Sequence, residues 1–103
     1  NTPMLDAAKK AAAVEGAEEA GITVQDLDLL AVSKCGATIT WDLYYFVVRS
    51  WQPRLGGQDL GTGEDIAVTW LPPADVRAAC LDGRISEERS AIQLLRLLQK
   101  EGL

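Results

Sequence analysis

The sequence predicts an α+β domain in which helices cover a mixed β-sheet. An alanine-rich run with helix-capping residues opens the chain, β-branched and aromatic residues dominate its middle, and an apolar stripe at helical spacing closes it. The chain has 103 residues, of which 48% are hydrophobic and 24% charged. This size and composition predict one small globular domain over residues 1–103.

The first predicted element is a helix over residues 3–20. Thr2 is a suitable cap, Pro3 suits the first helical position, and Gly21 is a typical C-terminal stop. Gly16 lies in the helix interior, where glycine costs about 0.5–1 kcal/mol relative to alanine. It either lets a neighbouring backbone approach closely or has no structural role.

Extended structure is predicted next. Leu27, Leu29 and Ala31 stand at every second position, which indicates a strand over 26–34. A run of β-branched and aromatic residues indicates a long, buried strand over 38–51. A loop rich in glycine over 52–64 leads to a third predicted strand, from Ile66 to Leu71.

Two helices are predicted to close the chain. The first covers residues 74–81 after Pro72-Pro73 and ends at Asp82-Gly83. Ser86 is expected to cap the second, which runs to about Lys100 before Gly102. Its predicted buried stripe consists of Ala91, Leu94, Leu95 and Leu98. Three strands are few for these helices to cover, so the pattern resembles a domain whose opening strands precede Asn1.

The composition excludes several classes of chemistry. The sequence has no histidine, which removes serine and cysteine triads and histidine zinc sites. Cys35 and Cys80 form no metal-binding pair and are expected to be buried free thiols of a cytoplasmic protein. A net charge of −5 with scattered basic residues argues against nucleic acid as a partner. No apolar run is long enough to cross a membrane, and no signal peptide is recognisable.

An acidic cluster near the end of the first helix is the main candidate site. Glu15, Glu18 and Glu19 share one helix face, where they repel one another and also lie at the negative end of the helix dipole. A hard divalent cation, Mg²⁺ or Mn²⁺, would compensate both effects. The same residues are also typical of a solvated acidic helix end.

The spacing of these glutamates resembles part of a known motif. The run Glu15-x-x-Glu18-Glu19-x-Gly21-Ile22 is similar to the second half of the Nudix box, G-x5-E-x7-R-E-U-x-E-E-x-G-U, in which U is aliphatic. Val14 stands at the position of the motif's arginine, Gly16 at that of an aliphatic residue, and Asp6 at that of the earlier glutamate.

A second stretch resembles the ADP-ribose pyrophosphatases of the same superfamily. It contains Gly63-Glu64-x-Ile66-x-Val68-x-Trp70, then Pro72 and Gly83-Arg84-Ile85. The first helix is also similar to that of diphosphoinositol polyphosphate phosphohydrolases. The resemblance covers nearly the whole chain.

The resemblance implies a Nudix-like α/β/α sandwich with a mixed sheet that is incomplete at its N-terminus. It also implies a Mg²⁺-dependent pyrophosphohydrolase of nucleoside diphosphates linked to another group, with ADP-ribose as the model substrate. Glu15, Glu18 and Glu19 would bind the metal, and Glu18 is also a catalytic candidate. Glu64 would position or deprotonate the attacking water, unless it is a solvated loop carboxylate.

The sequence is compatible with several alternatives. The chain is alternatively a binding module without turnover or an inactive fragment, and the substrate is alternatively a diphosphoinositol polyphosphate or a dinucleoside polyphosphate. Trp41 and Trp51 belong either to the core or to an adenine-stacking surface. Arg49 and Arg54 either contact phosphate or are solvated. An incomplete sheet has an exposed edge at which a homodimer is plausible.

Overall fold

The chain is an α+β protein, as the sequence predicts. The structure, a computed structural model, describes residues 2–36 and 41–103, including their side chains except that of Thr2. The elements are α1 (Thr2–Ala20), β1 (Ile22–Cys35), β2 (Trp41–Pro53), α2 (Pro73–Asp82) and α3 (Glu88–Glu101). The predicted cap by the Thr2 side chain and positions 38–40 of the predicted second strand lie outside the described residues.

Helix α1 follows its predicted boundaries closely. It ends at Ala20, and Gly21 then adopts a left-handed conformation with φ of 69°, which glycine reaches without the steric cost of a β-carbon. Half-buried small or apolar residues recur at helical spacing and define the face that packs inward: Leu5, Ala8, Ala12, Ala13, Gly16, Ala17 and Ala20. Small side chains on this face allow close approach of neighbouring elements.

The two strands pair with each other in an antiparallel sheet. β1 starts at Ile22, four residues before the predicted start, and the side chains of Ile22 and Val24 pack beside Gly16 of α1. Both strands are otherwise close to their predicted positions, but the predicted burial of the second strand is wrong, because no residue of β2 is buried. Side chains connect them at three places: Lys34 Nζ to Asp42 Oδ1 at 2.8 Å, Arg49 Nε to Asp28 Oδ2 at 3.0 Å, and Ser50 Oγ to Gln25 Oε1 at 2.8 Å.

The third predicted strand, from Ile66 to Leu71, is wrong. Residues 64–72 adopt neither helix nor strand, and all of Ala67–Leu71 is exposed. A strand requires a neighbour that accepts and donates backbone hydrogen bonds. Within the described ranges, β1 and β2 pair only with each other, so the alternating pattern of this segment has no ladder to join.

The chain divides into two units. The first contains the residues up to Leu29 together with Phe46–Val68, and the second contains Leu30–Tyr45 and Thr69–Leu103. α1 and the loop after β2 as far as Val68 therefore belong to the first unit. In the second unit, α2 packs against α3, and the Tyr45 hydroxyl lies 3.5 Å from Ser90 Oγ on α3.

The ends of α2 and α3 confirm the predicted glycine stops. Gly83 and Gly102 have φ of 86° and 73°. The predicted cap of α3 is wrong: Glu87, and not Ser86, is the capping residue, and its side chain accepts a 3.1 Å hydrogen bond from the Ser90 amide. The carboxylate has the reach to satisfy an unpaired amide of the first turn.

The predicted stripe of α3 is largely confirmed. Ala91 and Leu98 are buried, while Leu94 and Leu95 are half-buried. Gln93 is also buried, which the apolar pattern does not predict. Across the described ranges, no helix combines the length and the apolar character required to cross a bilayer.

Candidate functional site

The three candidate glutamates lie in the last two turns of α1. Glu15 and Glu18 are exposed, whereas Glu19 is half-buried. This difference follows from helical spacing, because Glu15 and Glu18 lie on the side away from the small-residue face and Glu19 lies at its border. Val14, at the position of the motif's arginine, is 49% exposed.

Gly16 has a packing role, which decides between its two interpretations. A β-carbon built on Gly16 would lie 3.2 Å from Cγ2 of Val24 and 3.7 Å from Cγ1 of Ile22. The space that an aliphatic residue would need at position 16 is therefore filled by side chains of β1.

The loop after β2 is hydrogen-bonded to the C-terminal end of α1. The last four carbonyl groups of a helix have no hydrogen-bond donor within the helix. Here the loop supplies donors for two of them. The Asp59 amide donates to the Glu18 carbonyl oxygen at 2.7 Å, and Gln58 Nε2 donates to the Glu19 carbonyl oxygen at 2.6 Å. Just beyond the helix, the Arg54 amide donates to the Gly21 carbonyl oxygen at 2.8 Å.

Gly21 permits this close approach. A β-carbon on Gly21 would lie 3.2 Å from the Gln58 nitrogen and 3.3 Å from the Gly57 carbonyl carbon. Both neighbours are backbone atoms and cannot move aside as a side chain can. Position 21 therefore requires glycine for two reasons, its positive φ and the contact with the loop.

Glu64 lies in the same loop and closes a turn within it. Its amide donates to the Gly61 carbonyl oxygen at 3.0 Å, and its side-chain Oε1 accepts from the Gly61 amide. The residue is exposed, so its carboxylate is accessible to solvent while bound to the loop backbone. The loop is further tied together by Gln58 Nε2, which donates to the Ile66 carbonyl oxygen at 2.9 Å.

The sequence identifies the glutamates but not these loop contacts. Gln58 and Asp59 lie about 40 positions from the helix end that they bind, and no local pattern marks them. The glycine content of the loop indicates only that its backbone is able to turn sharply. Gly56 and Gly57 have positive φ of 88° and 71°, as expected for glycines in sharp turns.

The described carboxylates do not form a metal site as they lie. Among residues 2–36 and 41–103, no group of three or more aspartate, glutamate or cysteine side chains is arranged to hold a metal ion. Glu15, Glu18 and Glu19 share a helix face, but their side chains do not provide the common oxygen cage that Mg²⁺ prefers. The expected Mg²⁺ or Mn²⁺ stays a prediction.

Neither candidate aromatic residue belongs to a buried core. Trp41 is 49% exposed and Trp51 is 41% exposed. In the second unit, the guanidinium carbon of Arg89 lies 5.9 Å from the Trp41 ring centroid, within cation–π range. The core interpretation of these two residues is therefore wrong, and a stacking role for either stays a prediction.

The two candidate arginines of the first unit bind acidic or carbonyl groups. Arg49 Nε lies 3.0 Å from Asp28 Oδ2, on the neighbouring strand. Arg54 Nη1 donates to the Gly57 carbonyl oxygen at 2.9 Å, and its Nη2 lies 3.9 Å from Asp59 Oδ2. Arg54 thus stabilises the loop that contacts α1.

The cysteines are both free, as predicted, but their burial differs. Cys35 is 2% exposed, with Sγ 3.6 Å from the Ser33 carbonyl oxygen, whereas Cys80 is only half-buried. Cys80 lines a cavity of about 460 Å³ formed by α2, the following turn and α3. The prediction of two buried thiols is therefore confirmed for Cys35 only.

No protein-family model matches this chain, and no curated protein or solved structure matches it either.

Proposed function

We propose that this chain carries the metal-binding helix and the catalytic loop of a Nudix-type pyrophosphohydrolase. The substrate class is a nucleoside diphosphate linked to another group, with ADP-ribose as the model compound. Glu15, Glu18 and Glu19 are the proposed ligands of Mg²⁺, and Glu64, with Glu18, is the proposed catalytic carboxylate. The finer fold belongs to the same proposal: a Nudix-like α/β/α sandwich with a mixed sheet.

One observation carries the proposal. The loop that contains Glu64 is hydrogen-bonded, through Gln58 and Asp59, to the carbonyl groups of Glu18 and Glu19. Residues far apart in the sequence, which the resemblance assigns to one site, are thus held in a single unit. The order of elements supports the same assignment, since the acidic helix ends at Ala20, just before Gly21, and a strand starts at Ile22.

Bound Mg²⁺ would neutralise the diphosphate and lower the pKa of an attacking water. Because Glu15, Glu18 and Glu19 lie without a common three-ligand geometry, no reaction step is attributed to the metal. The contribution of this chain is to hold the Glu64 loop against the end of the acidic helix.

A second candidate function is diphosphate binding without turnover. Val14 favours it, because an exposed aliphatic side chain cannot form the ion pair with a glutamate that the motif's arginine provides. Loss of that pair would leave a glutamate without its orienting partner. Such a module would still bind a nucleoside diphosphate.

A hydrolysis assay separates the two functions. Hydrolysis adds water across the phosphoanhydride bond of ADP-ribose and releases AMP and ribose 5-phosphate, which are measured with and without Mg²⁺. We expect Mg²⁺-dependent turnover, reduced on the order of 100-fold by Glu15→Gln or Glu19→Gln. Glu88→Gln on α3, in the other unit, is the matched charge control and should retain activity.

The outcomes have distinct meanings. Turnover that is unchanged by both substitutions contradicts the metal-ligand assignment. Calorimetric binding of ADP-ribose by wild type without product formation identifies the binding module instead. A diphosphoinositol polyphosphate and a dinucleoside polyphosphate, assayed in parallel, test the alternative substrate classes.

The predictions about cellular location and partners stay predictions. They are the cytoplasmic location, the lack of a nucleic-acid partner and the homodimer. The predicted place of contact for a second copy is the exposed edge of an incomplete sheet. Light scattering that gives a monomeric mass at high protein concentration would contradict the homodimer.

A further inference from the structure

We propose that Gln58 is a positioning residue, whose side-chain amide locks the Glu64 loop to the C-terminal end of α1. Gln58 Nε2 donates to the Glu19 carbonyl oxygen at 2.6 Å and to the Ile66 carbonyl oxygen at 2.9 Å. One amide group therefore binds the acidic helix and the far end of the loop at the same time. Its catalytic consequence rests on the proposed hydrolase function.

The two hydrogen bonds use both donors of the amide group. A glutamine NH₂ group has two hydrogens, and each has a backbone acceptor here. The bond to Ile66 closes the segment 58–66 into a ring that contains Glu64. Closing a flexible segment removes many of its conformations, so Glu64 is restricted relative to the backbone of Gln58.

The bond to Glu19 fixes this closed segment on the helix. The adjacent backbone bond, from the Asp59 amide to the Glu18 carbonyl oxygen at 2.7 Å, lies beside it. Together the two contacts hold the start of the segment at the helix end that carries two of the proposed metal ligands. The position of Glu64 relative to Glu19 therefore depends on Gln58.

The helix end determines which side chains can replace glutamine. Its carbonyl groups form the negative end of the helix dipole, which favours donors and cations and disfavours anions. Gln58→Glu keeps the shape but places a carboxylate against two carbonyl oxygens. Gln58→Leu removes the donors without adding charge, and Gln58→Lys supplies ammonium donors with a favourable charge.

Amide hydrogen exchange on the complete chain tests the contact itself. We expect the Asp59 amide, which donates to Glu18, to exchange at least about tenfold faster in Gln58→Leu and in Gln58→Glu. Gln58→Lys should remain within about threefold of wild type. Gln99→Leu, at an exposed position of α3 in the other unit, is the control and should leave Asp59 unchanged. Unchanged exchange of Asp59 in both donor-free variants would overturn the inference.

The kinetics of ADP-ribose hydrolysis test the positioning role. We expect kcat to fall roughly tenfold in Gln58→Leu and Gln58→Glu, with KM within about twofold of wild type and kcat restored in Gln58→Lys. Faster exchange with an unchanged kcat would refute the positioning role. A wild type without turnover refutes the hydrolase proposal and the positioning role with it, while the exchange rates still decide whether Gln58 holds the loop.

Discussion

The backbone amide of Asp59 donates a 2.7 Å hydrogen bond to the carbonyl oxygen of Glu18. This bond joins a loop after the second strand to the last turn of the first helix. The Glu18 carbonyl group receives no hydrogen bond from within the helix, so the Asp59 amide provides its donor. The stability of the helix end and the position of the loop are therefore linked, and substitutions at this junction should affect both.

Gly21→Ala should destabilise the protein more than Gly56→Ala. Both residues have positive φ, 69° and 88°, but a β-carbon on Gly21 would lie 3.2 Å from the Gln58 nitrogen whereas one on Gly56 has no neighbour within 4 Å. We expect Gly56→Ala to cost about 1 kcal/mol of unfolding free energy from backbone strain and Gly21→Ala about 2–3 kcal/mol. Urea unfolding measures both, and equal costs would show that the loop contact contributes nothing.

Gly16→Ala should change stability little by itself. Alanine in a helix interior gains about 0.5–1 kcal/mol over glycine, but its β-carbon would lie 3.2 Å from Val24 Cγ2. In a Val24→Ala background, the steric cost disappears and the same substitution should stabilise by about 0.5–1 kcal/mol. A double-mutant cycle measured by urea unfolding provides the coupling energy, and strict additivity would contradict the contact.

Glu87→Ala should weaken α3, whereas Ser86→Ala should not. The Glu87 side chain accepts a 3.1 Å hydrogen bond from the Ser90 amide, which satisfies an unpaired donor of the first turn. Loss of a capping side chain costs about 0.5–2 kcal/mol. Thermal unfolding of the two variants identifies the cap, and a larger loss in Ser86→Ala would restore the sequence-based prediction.

Asp82 should titrate below its ordinary pKa of 3.8. The backbone amide of Arg84, followed by its guanidinium group, stabilises the carboxylate, with the amide 3.0 Å from Oδ1. A lowered folded-state pKa means that this stabilisation is present above 3.8 and is lost as the pH falls through the folded-state pKa. Carboxyl ¹³C chemical shifts measure the titration.

The hydrogen bond from the Arg84 backbone amide is the largest single cause of the lowered pKa of Asp82. Arg84→Ala retains the backbone donor, so the pKa of Asp82 should stay below 3.8 in that variant. A return of Asp82 to its ordinary pKa in Arg84→Ala would assign the shift to the guanidinium group instead.

Local patterns predicted the elements that depend on local interactions. The first helix, both paired strands and the glycine stops at Gly83 and Gly102 lie close to their predicted positions. Helix ends depend on residues within one turn, so the sequence located the glycine stops, although it assigned the cap of α3 to Ser86 instead of Glu87. The strand predicted from Ile66 to Leu71 failed because a strand depends on a partner that no local pattern reveals.

The sequence by itself determined which carboxylates share a helix face and where glycine interrupts the chain. Only the tertiary structure decided that Gln58 and Asp59 bind the carbonyl groups of Glu19 and Glu18, and that Gly16 makes room for Val24. The physical reason is range: helical spacing fixes neighbours three and four positions apart, whereas contacts across about 40 positions depend on how the whole unit packs.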